Sequence, residues 1–97
     1  MDADEIRTLL GDNIFERAKK YRKRIQQSTC TVNADGVRHI SAMVQGSGGS
    51  YYYTQAWLRE NGSFVSASCS CPYNQNGEGT YCKHIGALLL DLSLIHI

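Results

Sequence analysis

The chain is predicted to be an α+β domain, because its helical and strand-like patterns fall in separate blocks instead of alternating along the sequence. Three observations carry this. Apolar residues recur at helical spacing up to Ile25, Thr, Val, Ile and Tyr dominate closely spaced segments from 28 to 68, and a last helical stripe follows. A length of 97 residues leaves room for one core, so a single domain is expected over 1–97. Its helical and sheet part would span 1–68, a cysteine-rich motif and helix 69–92, and a short tail 93–97. A stretch this short is not a multidomain enzyme. It buries only about 60–65% of its unfolded surface, so a metal or a disulfide would add usefully to a modest core.

Each element has a local cause. Asp2, Asp4 and Glu5 favour a helix start through the macrodipole, Ile6, Leu9 and Leu10 make an i, i+3, i+4 stripe, and Gly11 suits the C-terminal cap. Asp12 or Asn13 is expected to cap a second helix. There Ile14, Ala18, Tyr21 and Ile25 repeat at i, i+4, i+7, i+11, and Glu16 is placed to pair with Lys20. Strands are predicted near 29–32, 37–45, 51–58 and 64–68, with turns at 33–36, 46–50 and 60–62. Such short connections favour an antiparallel meander, since a parallel crossover needs about a dozen residues or more. Alternation places Ile40, Ala42 and Val44 on one face, whereas both parities stay open for 51–58. After a loop at 74–79, Ile85, Leu88, Leu89 and Leu92 mark an amphipathic C-terminal helix beginning near Thr80.

The formal net charge of +1 averages over an uneven distribution. Residues 1–27 hold seven of the ten basic side chains, and six of the eight residues in 17–24 are Lys or Arg. Arg17, Lys20 and Arg24 would share one helix face and contact phosphates, with salt-sensitive affinity from counterion release. The competing reading is a solvated face balanced by Glu16 and the acidic first helix.

Cys69-Ser-Cys71 and Cys82-Lys-His84 place three thiols and an imidazole within sixteen residues. That donor set is the complement tetrahedral zinc takes in structural sites. Cys69 and Cys71 fall at a strand end, and Cys82 and His84 in a first helical turn, whose free N–H groups stabilise thiolate. A disulfide from Cys82 to Cys69 or Cys71, or plain buried cysteines, is the alternative; reduced cytosolic thiols argue against a disulfide. A catalytic zinc usually keeps one position open, whereas four ligands fill the shell. Iron or cadmium would fit similar thiolates. Neither the His-x-Glu and Pro-Cys-x-x-Cys pair of zinc deaminases nor a redox Cys-x-x-Cys occurs.

Embedded in Cys-Ser-Cys-Pro-Tyr and Cys-Lys-His-Ile-Gly-Ala-Leu-Leu-Leu, this CxC, ten residues, CxH pattern closely resembles the SWIM zinc finger over 69–90. The upstream helices, strands and the Val-Gln-Gly-Ser step at 44–47 are more loosely similar to the region before that finger in prokaryotic members. The resemblance implies that Cys69, Cys71, Cys82 and His84 ligate zinc. It also implies a binding module rather than an enzyme, one that contacts DNA or protein and accompanies proteins such as Swi/Snf-type helicases. Gly86, where many members carry Ala, is a small departure. The apolar end, Leu-Ile-His-Ile, is a larger one, and reads as a fragment boundary or a foreign terminus.

Other residues are read more plainly. Lys83, between two ligands, is a further candidate for contact with nucleic acid or another partner. Tyr51, Tyr52, Tyr53 and Trp57 would serve the core and cross-strand packing before any base stacking. Cys30 is expected to be a buried small hydrophobe, and His39 and His96 have no ligand spacing. The acidic start is unlike a secretory signal, and no run approaches the roughly 18 apolar residues of a membrane span. A cytoplasmic location is therefore expected. Three thiolates against Zn²⁺ would lower the net charge by one unit, to about zero.

Overall fold

In the computed structural model, residues 2–72 and 81–95 are described, with side chains as far as Leu92. Helix α1 (Ala3–Leu10) opens on a reciprocal cap, in which the Glu5 N–H donates to Asp2 Oδ1 at 2.8 Å and the Asp2 N–H to Glu5 Oε1 at 3.2 Å. Only Gly11 separates α1 from α2 (Asp12–Tyr21), so the capping position of α2 falls on Gly11 and neither Asp12 nor Asn13 caps it. Asp12 instead approaches Arg7 at 3.9 Å, and Glu16 pairs with Lys19 at 3.1 Å rather than with Lys20.

Helix α2 ends sooner than its apolar spacing suggested. A 3-10 turn, Arg22–Arg24, follows Tyr21, and Ile25 already belongs to β1 (Ile25–Val32). Ile25 still packs against Tyr21, Val44 and Ala87, so a strand meets the burial that the helical reading sought.

Strands β1, β2 (Arg38–Gln45), β3 (Tyr51–Leu58) and β4 (Phe64–Cys69) form one antiparallel sheet in sequence order. The expected meander and its three turns are present. Pairing of Ala42 with Thr54 and Ile40 with Ala56 decides the open parity of β3. Thr54, Ala56 and Leu58 are buried, whereas Tyr51 and Tyr53 are exposed on the opposite face.

Helix α3 (Lys83–Ile95) covers the inner face of the sheet, packing on β3 and β4 on one side and on α1 and α2 on the other. Every residue of 84–90 is buried, because a helix enclosed between two layers buries more than one stripe. Its close approach to the N-terminal helices explains Gly86: a Cβ there would stand 2.7 Å from both Ala18 Cβ and Leu10 Cδ1. The helix starts at Lys83 rather than near Thr80, and its backbone continues through 93–95 of the expected tail. Thr80, the 74–79 loop and His96 lie outside the described residues.

Cys30 is exposed, not buried. It pairs with Ile40 and shares the inner face, but it lies on edge strand β1, and α3 covers β3 and β4 instead. Among the described residues no helix is long and apolar enough to cross a membrane.

Candidate metal centre

In an extended chain alternate residues face the same way, so Cys69 and Cys71 both turn toward the interior while Ser70 faces out. Ser70 prolongs the pairing past the end of β4: its N–H donates to Tyr53 O at 3.1 Å, and its hydroxyl accepts from the Tyr53 N–H at 3.0 Å. Cys82 sits immediately before α3, where its carbonyl accepts the Gly86 N–H at 3.1 Å, and His84 lies in the first turn. The two halves of the motif thus meet where the last strand and the last helix run together.

The thiols of Cys69, Cys71 and Cys82 and the imidazole of His84 have donor atoms that all lie within 4.8 Å of one another, and all four residues are buried. His84 Nδ1 stands 3.7 Å from the sulfurs of both Cys69 and Cys82. With Zn–S near 2.3 Å and Zn–N near 2.0–2.1 Å, tetrahedral geometry separates sulfur and nitrogen by about 3.5–3.6 Å, so the donors fit zinc and Nδ1 is the nitrogen presented. No disulfide forms among the four cysteines.

The sulfurs are electrostatically prepared as well. A hydrogen bond from the Cys82 thiol, helped by His84, Thr54 and the Cys71 backbone, holds Cys69 well below the ordinary thiol range against the opposing effect of burial. As the donor in that pair Cys82 is pushed up, and burial raises it further.

Residues outside the motif complete the surroundings. Thr54 Oγ1 lies 3.4 Å from Cys69 Sγ, and the His84 ring is flanked by Tyr52 at 5.0 Å and, edge-on, by Tyr21 at 5.4 Å between centroids. In the sequence Tyr52 belongs to a tyrosine run and Tyr21 to an apolar helix stripe, and Thr54 has no signal of its own; their places around the cluster depend on strand register and on α2 meeting α3. Burial pushes the Tyr21 hydroxyl up, but hydrogen bonds with Lys83 and Ser47 and the charges of Lys83 and Arg24 outweigh it and leave it below its ordinary value.

The four basic candidates are placed unequally. Arg17 and Lys20 are exposed on α2. Arg24 falls on the 3-10 turn, where its Nη1 donates to Gly46 O at 3.0 Å and its guanidinium lies over the Tyr21 ring. Lys83 is half-buried, with Nζ 4.8 Å from the Tyr21 ring centroid. Arg17 and Lys83 line one cleft beside the cysteines.

Fold and cluster together define a small zinc-binding module in which a Cys3His centre joins a sheet to a helix. The family model of the SWIM zinc finger matches residues 52–93, a stretch that takes in all four clustered side chains. The match begins at Tyr52, the ring that touches His84. No curated protein and no solved structure matches the chain.

Proposed function

We propose that this domain binds nucleic acid, with DNA as its partner, as an accessory module of a larger protein or complex such as one built on a Swi/Snf-type helicase. Zn²⁺ held by Cys69, Cys71, Cys82 and His84 would be structural, fastening the last strand to α3. The observation that carries the reading is the convergence of Arg17 and Lys83, far apart in sequence, on one cleft beside the cluster. Neither forms an ion pair among the described residues. Because the zinc-loaded net charge is about zero, attraction to phosphates rests on this local placement.

The module is read as non-enzymatic, since four ligands fill the tetrahedral shell. A cytoplasmic location, where thiols stay reduced, belongs to the same reading. A protein-interaction role is the second reading, supported by Tyr51 and Tyr53, each 45% exposed on the sheet face away from the helices. Salt titration of duplex DNA binding separates the two. Affinity should fall steeply between low and physiological salt, and Lys20→Gln should weaken it at low salt. Absence of binding at both salt concentrations, with a protein partner captured instead, favours the second reading.

A further inference from the structure

The cleft beside the metal centre has a volume of about 180 Å³, equivalent to roughly six waters. Its polar lining comes from Arg17 of α2, Ser47 of the turn between β2 and β3, Lys83 and His84 of α3, and the thiols of Cys71 and Cys82 from the metal cluster. No carboxylate contributes to the described lining. Two cations and a hydroxyl, beside the Cys71 and Cys82 sulfurs whose charge a bound Zn²⁺ would offset, make a site for an anion with several oxygens.

His84 adds an independent observation. Its Nδ1 faces the sulfurs, while its Nε2 is buried without a hydrogen-bond partner, in a residue only 4% exposed. Metal-bound imidazoles almost always donate their second N–H to an acceptor, and none is supplied here by the described residues. The turn carrying Ser47 comes close to this ring. A Cβ on Gly46 would stand 3.6 Å from His84 Nε2 and 2.6 Å from Tyr52 Cε2, so glycine is what permits the approach. Arg24 holds the same turn through Gly46 O.

We infer that this cleft seats one backbone phosphodiester of the bound strand, held by Arg17, Ser47 and Lys83, with the His84 Nε2–H as the inner donor. The inference rests on the nucleic-acid reading and narrows it. The exposed basic run then contributes diffuse attraction, whereas the cleft makes the defined contact. Lys83 and His84 belong to the zinc motif, so a bound metal would hold one side of the cleft in place.

The test uses the zinc-loaded full chain, with metal stoichiometry checked for every variant. Inorganic phosphate, and then a short DNA duplex, is titrated while the amide resonances of Ser47 and Lys83 and the ring Nε2–H of His84 are followed. Shifts concentrated on those groups with both probes, and lost in Arg17→Gln, are expected. Arg17→Gln and Lys83→Gln should each lower duplex affinity several-fold and reduce the salt slope by about one. Lys83→Arg should restore binding, and Ser47→Ala should weaken it without changing the slope. Lys83 lies between two ligands, so Arg17→Gln and Ser47→Ala test the cleft if Lys83→Gln loses zinc. Duplex binding that is unchanged in Arg17→Gln and Ser47→Ala overturns the cleft while leaving the nucleic-acid reading standing. Phosphate shifts in the cleft with no duplex binding at either salt overturn the strand as occupant and point to a free phosphate or phosphomonoester. No shift with either probe overturns the site itself.

Discussion

His84 and His39 each pack against an aromatic ring, yet only His84 belongs to a cluster that could hold a metal. His84 lies between Tyr21 and Tyr52 with Nδ1 3.7 Å from two sulfurs, whereas His39 stacks on Trp57 at 4.9 Å and shares a 2.8 Å hydrogen bond with Gln55. Ring contact is common to both. The difference is convergence: at His84 three thiols from a strand end and a helix start enclose one point, while at His39 a single amide answers the imidazole. The two sheet faces differ in the same way. The inner face is closed by α3 over β3 and β4, and the outer face stays open, with polar neighbours such as Thr29 and Ser41 bonded at 2.8 Å. What makes His84 a candidate ligand is that the fold brings soft donors to it in a dry place.

Metal removal is the most severe way to break this comparison. Structural zinc in finger peptides contributes about 10–16 kcal/mol of apparent binding free energy at neutral pH, comparable with the whole stability of a small domain. Cys82→Ser or a strong chelator should therefore unfold at least the segment after Ser68, seen as lost amide protection in α3. Since α3 lies between the sheet and the N-terminal helices, protection in β3 and α2 should fall with it. Persistent protection in α3 after verified zinc loss contradicts this. Acid works in the same direction, because protons compete for the thiolates; zinc release to a colorimetric chelator should increase as pH falls.

Gly86→Ala tests the closed side more gently. Propensity alone favours alanine by about 1 kcal/mol inside a helix. The 2.7 Å approaches to Ala18 and Leu10 should reverse that sign, for a net loss of about 1–3 kcal/mol in chemical denaturation. A gain in stability would mean that α1 and α2 yield easily. The smallest effect belongs to the open face: His39→Ala should cost about 1–2 kcal/mol, from one aromatic pair and one hydrogen bond, with zinc content unchanged. Zinc loss in that variant would erase the distinction between the two histidines.

Much of the fold was legible because its causes are local. The helix start at Asp2 to Glu5, the three turns and the meander each arise within a few residues, and the CxC spacing by itself puts two donors on one side of an extended strand end. The misreadings share a different cause. Ile25 suits a helix stripe and a strand equally, because both bury it against Tyr21. Cys30 has the inner-face parity of a buried residue, yet the helix that would cover it lies over other strands.

The sequence by itself determined the α+β order, the four side chains that cluster as candidate metal ligands and the local concentration of basic charge, since period, turn chemistry and donor type act over short stretches of chain. Only the tertiary structure decided which tyrosines face inward, why α3 needs a glycine at 86, and that Arg17, Ser47 and Lys83 meet around one cleft. Those features depend on strand register and helix approach, in which residues distant in sequence come into contact through packing that no local pattern encodes.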